Sequence, residues 1–260
     1  MKPSPPPADS RQALVAMLRR QVERLEGPVQ PQDERPISTG SPELDRLLAE
    51  GGLRRGSLTE YLAAEAGGGA GTLALAAARE ACAGGKTLVV VDRPRQFYPP
   101  AAWGLKNLLV VRPASEADEL WALDQALRCP GVGAVWIRCG SLDVREFRRL
   151  QLAAESGGTL GLFVRPARFR GQPTWADVQW LVEPASLSPR SSSGMRRLRV
   201  ELIRCRGGTR LLERGGRALH LELDRTTGLW RQANDDHATH SLPASLQLAH
   251  PATPRRQSRA

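Results

Sequence analysis

One stretch constrains this chain more than any other. Ser57–Leu62 is a short run of strand character, Glu65-Ala66-Gly67-Gly68-Gly69-Ala70-Gly71-Thr72 is a glycine-rich turn, and Thr72–Ala83 is a helix dominated by alanine. Strand, glycine loop and helix in that order form the plan of a phosphate-binding P-loop, whose backbone N–H groups cradle an anion at the helix N-terminus. A helix with such small side chains suits close packing against a sheet. The chemistry departs from the plan, however. A working loop follows G-x-x-x-x-G-K-[ST], with the lysine on the β/γ-phosphates and the hydroxyl on magnesium. No lysine falls between Glu65 and Thr72.

The segments after this loop alternate in kind. Thr87–Val91, Leu108–Val111, Ala134–Ile137 and Leu160–Val164 are near-continuous apolar runs, as expected of parallel strands covered on both faces. Between them lie amphipathic helices, Ser115–Arg128 with Ser115 as N-cap and Asp143–Ser156. This alternation predicts an α/β fold: a doubly wound, mainly parallel sheet with helices on both faces. After Pro166 the pattern changes. Asp177–Val182 suits one more strand, Ser186–Gly194 a flexible turn, and Arg196–Arg206 and Ala218–Leu223 alternate apolar with polar residues. These last segments, with Gly228–Arg231, read as antiparallel edge strands with an arginine-studded face.

The remaining boundaries follow from punctuation. Residues 1–10 are proline-rich and expected to be disordered, and residues 11–35 hold an amphipathic helix (Arg11–Leu25) and a proline-broken linker. Ser41 is placed to cap a short helix running to Leu48, ahead of Gly51-Gly52. The core is expected over 36–231 and a flexible tail over 232–260. No run approaches the roughly 18–20 apolar residues of a membrane helix, and Met1–Ser10 lacks the apolar centre of a secretory signal. A cytoplasmic location follows by default. Cys82, Cys129, Cys139 and Cys205 lack C-x-x-C spacing and read as buried thiols, not as disulfides or zinc ligands.

A net charge of +10 points to an anionic partner, nucleic acid first. Nearly all of that charge is arginine, which is also what an alanine- and glycine-rich, high-GC coding sequence produces. Two basic-aromatic segments follow strand ends: Arg93-Pro94-Arg95-Gln96-Phe97-Tyr98 and Arg165-Pro166-Ala167-Arg168-Phe169-Arg170. Arg95, Arg168 and Arg170 are the candidate contacts for single-stranded DNA. Gly67, Gly68, Gly69, Gly71 and Thr72, with the strand-end acid Asp92, are the candidate nucleotide-binding set. Magnesium-assisted hydrolysis also calls for a second acidic strand end, and the run Ala134–Ile137 ends in Arg138 instead. No catalytic grouping and no metal site stands out. The acids Glu116, Asp118 and Glu119 fall in a helix's first turn, where the macrodipole favours them, and the Asp235–His240 run sits in the polar tail.

The lead-in Ile37–Tyr61 (ISTGSPELDRLLAEGGLRRGSLTEY), followed by the glycine loop, TLVVVD, NLLVVRP, a long helix and AVWI, resembles the core of RecA-type recombinases over roughly Pro36–Val182. The resemblance implies a RecA-like P-loop NTPase core. It puts Gly69 or Ala70 where the family has lysine, Pro94 where it has the water-activating glutamate, and Arg138 where it has an acidic strand end. Length, the N-terminal helix and RRLRVELIRCRGG resemble one branch in particular, the ImuA-type proteins of bacterial mutagenesis cassettes, historically labelled SulA-like. That implies a non-catalytic pseudo-ATPase accessory to DNA-damage-induced (SOS) translesion synthesis, with no required cofactor. Its implied partners are a RecA-type recombinase and the error-prone polymerase partners of the cassette. The alternatives are a single-stranded-DNA-binding module, a weak ATP-binding regulator, and a SulA-like cell-division regulator.

Overall fold

The structure, a computed structural model, describes residues 35–102, 104–185, 196–208, 218–223 and 230–233. The expected N-terminal helix, the Ser186–Gly194 turn and the Asp235–His240 run lie outside the described residues.

The apolar runs become strands of one nine-stranded sheet among the described residues, ordered β3-β2-β4-β5-β1-β6-β7-β8-β9. Six strands are parallel: β1 (Leu58–Ala63), β2 (Thr87–Val91), β3 (Leu108–Val111), β4 (Val132–Arg138), β5 (Leu160–Pro166) and β6 (Val178–Ala185). β7 (Arg197–Cys205), β8 (Ala218–Leu223) and β9 (Trp230–Gln232) extend the sheet antiparallel. The fold is therefore mixed α/β with a mostly parallel sheet and antiparallel strands toward the C-terminus. Among the described residues, no helix is long and apolar enough to cross a membrane.

Helices cover both faces. On one face lie α1 (Pro42–Asp45) and α2 (Ala70–Ala81), whose Leu44, Leu73, Ala74 and Ala77 join a core with Tyr61, Trp180, Leu198 and Trp230. On the other lie α3 (Glu116–Arg128) and α4 (Val144–Gly157), whose Leu123, Leu127, Phe147 and Leu150 pack on Val89, Val135 and Phe163. The alanines of α2 let backbone approach closely. A Cβ added at Gly40, in the lead-in at φ 82°, would lie 2.7 Å from Ala76 Cβ.

Caps set the helix boundaries. Ser115 accepts a hydrogen bond from Asp118 N, as its position predicts, and Asp143 with Glu146 forms a full capping box on α4. Ser41 does not cap: its hydroxyl turns to the Glu43 carboxylate, and α1 ends at Asp45, short of the expected Leu48. The side chain that organises this turn is Asp45, which accepts hydrogen bonds from Thr39 N (2.7 Å), Thr39 Oγ1 (2.7 Å) and Ser38 Oγ (2.6 Å). α2 starts at Ala70, two residues before the expected Thr72. In β7, Leu198, Val200 and Leu202 point inward as alternation predicts, while Ile203 is an extra residue at a register shift opposite Gln179/Trp180. At the far end Gln232 belongs to β9 and Ala233 is buried; the rest of the expected tail lies outside the described residues. All four cysteines are free thiols; Cys82 is buried as expected, but Cys129 is exposed.

Candidate functional site at the carboxyl edge of the sheet

In a parallel α/β sheet, ligands bind where the strands end at their carboxyl termini. The glycine loop stands there, between β1 and α2. Gly69 adopts φ 102°, a left-handed geometry that favours glycine, and caps α2. With Gly69 as the last glycine of the motif, Ala70 and Gly71 open the helix where lysine and the magnesium-binding hydroxyl would stand. Thr72 lies one residue further along, half-buried.

Neighbouring side chains occupy the space above these positions. A Cβ on Gly69 would meet Leu198 Cδ2 at 2.6 Å. One on Gly71 would lie 3.3 Å from Trp136 Cζ2 and 3.7 Å from Arg138 Nη2. Leu198 comes from β7, and Trp136 and Arg138 from the end of β4. Ala70 is itself buried. Gly67 is exposed and Gly68 half-buried, with Gly68 N hydrogen-bonded to Glu65 O at 3.1 Å.

Asp92, at the end of β2, is buried and faces its own loop. Its two carboxylate oxygens accept from Gln96 N (2.8 Å) and Phe97 N (3.1 Å). The carboxylate thereby shapes residues 93–97, including Arg95 at φ 57°, an uncommon backbone geometry for a non-glycine residue. Phe97 packs on Trp136, ring centroids 5.4 Å apart. The first-turn acids of α3 also have structural partners: Glu119 is buried and accepts from Arg93 Nε at 2.9 Å.

The end of β5 holds a feature that motif reading missed. Glu60, at the centre of β1, and Arg165 are both fully buried and form an ion pair. The Glu60 carboxylate also accepts from Thr174 Oγ1 and Gln179 Nε2, each at 2.8 Å. Arg165 Nε donates to Gly140 O at 3.0 Å, and its guanidinium lies 4.5 Å from the Phe169 ring centroid and 5.7 Å from that of Phe147. One buried cation thus ties down the loops after β4 and β5. The signal was present in LTEYL, because an acid in the middle of a core strand requires a partner. Next to this pair, burial pushes the Cys139 thiol up to about 12 despite the opposing pull of Arg165. A thiol held that far up is a poor nucleophile at neutral pH.

The structure separates the candidate nucleic-acid contacts. Arg168 lies over the Phe169 ring at 4.9 Å and Arg170 pairs with Glu201 at 3.5 Å, both beyond β5. Arg95 stands beyond β2, with β4 between them. Phe169 is buried and offers no ring to a base. At the opposite end of the sheet, a pocket of 320 Å³ is lined by Arg54, Asp177 and Arg206 among others. Its arginines are already paired: Arg54 Nη2 and Arg206 Nη1 reach the two oxygens of Asp177 at 2.8 and 3.3 Å. No group of three potential metal-ligating side chains occurs among the described residues.

No protein-family model matches the chain. Protein ImuA of Caulobacter vibrioides is 32% identical to it over 193 residues, covering 66% of this chain and 79% of the relative. The same values hold for Protein ImuA from a second strain of that species. The chain belongs to the ImuA family. Membership agrees with the resemblance carried by the lead-in and the glycine loop. In this ImuA-family chain a glycine loop leads into a helix N-terminus, and Ala70 and Gly71 open that helix.

Proposed function

We propose that this ImuA-family chain is a non-catalytic accessory protein of DNA-damage-induced (SOS) translesion synthesis and mutagenesis. On this reading its scaffold is a RecA-like P-loop core, it acts in the cytoplasm, and it works by contact with a RecA-type recombinase and the error-prone polymerase partners of the cassette. Family membership and the resemblance of Ile37–Tyr61 support the setting. One observation supports the loss of catalysis: Ala70 and Gly71 open the helix after Gly69, with Leu198 packed over Gly69 and Trp136 close beside Gly71.

Phosphoryl transfer works by positioning and by stabilising developing charge, with a lysine and magnesium as the main cations. Ala70 and Gly71 can supply neither a cation nor a metal ligand. Asp92, the acidic strand end that remains, uses both carboxylate oxygens on its own loop. The helix dipole and backbone amides remain as the attraction for an anion, which on this reading gives weak ATP binding at most.

Two measurements test the proposal. The purified chain is expected to hydrolyse ATP no faster than buffer, with or without single-stranded DNA. A tagged chain recovered from cells treated with a DNA-damaging agent is expected to retain the recombinase and the error-prone polymerase subunit. DNA-stimulated turnover would refute the pseudo-ATPase reading, and recovery of neither partner would refute the accessory role.

A further inference from the structure

The carboxyl edge carries a second feature that the glycine loop does not explain. Val91 of β2 pairs in register with Val111 of β3 and Ile137 of β4. Arg112, just beyond β3, and Arg138, the last residue of β4, therefore stand at one level on either side of Asp92. Their strands lie about 10 Å apart, twice the inter-strand spacing. The Asp92 carboxylate turns inward, so its charge is not offered at this rim. Above it, residues 93–98 carry Arg95 and Tyr98. Tyr98 is 69% exposed, the most exposed large hydrophobic side chain among the described residues.

These cations take part in no ion pair among the described residues. Among the described residues, the side chains of Arg95 and Arg112 make no hydrogen bond or ion pair, and Arg138 reaches only the neutral Gln96 amide, at 3.5 Å. Arg93 differs: it is taken up by Glu119 and Glu116. A free guanidinium presents a planar fork of donors that matches phosphate. An exposed aromatic ring offers a base a stacking platform, whatever the base. Spaced cations with one bare ring match a chain of phosphates whose bases are unstacked. A duplex keeps its bases stacked and gives Tyr98 nothing to hold. An acidic protein surface would engage the arginines but not the ring.

From this arrangement we infer that Arg95, Tyr98, Arg112 and Arg138 bind single-stranded nucleic acid, the arginines on phosphates and Tyr98 under a base. This relocates the contact from the loop after β5, where Arg168 covers Phe169 and Arg170 pairs with Glu201, to the open rim of β3, β2 and β4. The net charge of +10 adds a long-range attraction of the right sign. The inference does not rest on the proposed accessory role, because neither ATP turnover nor partner recovery bears on it.

The experiment is fluorescence anisotropy of the full chain with a dye-labelled oligothymidylate of about 20 nucleotides, at about 50 mM and 200 mM salt. Saturable binding is expected at the lower salt and should weaken tenfold or more at the higher. Tyr98→Ala should weaken it about 5- to 150-fold, the range for loss of one stacked base. Replacing Arg95, Arg112 and Arg138 together by alanine should abolish measurable binding. Separate single replacements should each lower the salt slope by about 0.7. Arg168→Ala with Arg170→Ala should leave affinity unchanged, and matched thermal melts show that every variant is folded. The inference is overturned by absent binding at the lower salt, or by wild-type affinity in the triple variant. It is equally overturned if duplex or polyglutamate competes as well as single strand and Tyr98→Ala has no effect.

Discussion

Along the β5–β1–β6 stretch of the carboxyl edge, side chains turn inward and use one another. Arg165 is consumed by Glu60 and Gly140, Leu198 lies on Gly69, and Arg168 and Arg170 are held by Phe169 and Glu201. Along the β3–β2–β4 stretch, Arg112, Arg95 and Arg138 have no acidic partner, although Arg138 also lies near Gly71 of the glycine loop, and Tyr98 stands in solvent. Both stretches end parallel strands of one sheet, so topology alone does not decide where a ligand is held. What decides it is whether the residues beyond the strand ends find partners within the chain. The stretch that holds the glycine loop is tied down within the chain, and its neighbour leaves cations outside any ion pair.

That contrast predicts how the two stretches respond to substitution. The largest effect is expected at Arg165: alanine there leaves Glu60 as a buried, uncompensated charge, which costs about 3–5 kcal/mol. Urea denaturation should register that loss, and Arg165→Met combined with Glu60→Leu should recover most of it. A cost below about 1 kcal/mol would mean that the pair does not hold the tied stretch. Leu198→Ala comes next, at about 2–5 kcal/mol by loss of burial and creation of a cavity over Gly69.

A smaller effect is tied to pH. Burial opposes ionisation of Asp124, and hydrogen bonds from Arg128 and Arg149 outweigh it, so the carboxyl sits below its usual range. These contacts join α3 to α4 beneath the sheet. The unfolded group titrates near about 3.9. The contribution is therefore fully present above that value and is lost as pH falls through the lower folded pKa. Denaturation midpoints measured from neutral to acidic pH should fall more steeply for the wild type than for Asp124→Asn. The smallest effects belong to the open stretch: Arg112→Ala and Tyr98→Ala should each change stability by no more than about 0.5 kcal/mol, as for other unpartnered surface positions. A large loss at either would place them in the packed structure and erase the contrast.

How much of this could be read from residues alone follows the same division. TLVVV and LGLFV announce buried parallel strands because both faces must be apolar, and the sheet contains them where expected. LLVV is a strand too, but it lies at the sheet edge with Leu108 and Leu109 exposed, so its apolar run does not mean cover on both faces. Ser115 and the Asp143–Glu146 capping box show their roles in local sequence. The tied stretch was less legible. Leu198 lies well over a hundred residues from the glycine loop it covers, and only the antiparallel pairing of β7 with β6 brings them together. Asp92 was read as a candidate ligand on position alone, since its type does not reveal that two backbone amides in the next loop already hold it. Phe169 and Tyr98 look alike in sequence, each beside arginines after a strand. One is buried against Leu62 and Leu181, and the other stands open. Glu60 carried a warning that composition could not interpret, because its partners Arg165, Thr174 and Gln179 come from three later segments.

The proposal that the glycine loop neither holds nor hydrolyses nucleotide is open to titration calorimetry. Magnesium-ATP would be titrated into the wild-type chain and into a variant carrying Ala70→Lys and Gly71→Thr. No saturable heat is expected for the wild type up to millimolar nucleotide. No turnover is expected from the variant either, because a side chain at position 71 would press on Trp136. Saturable, magnesium-dependent binding by the wild type, lost on Gly69→Val and accompanied by hydrolysis, would contradict the proposal.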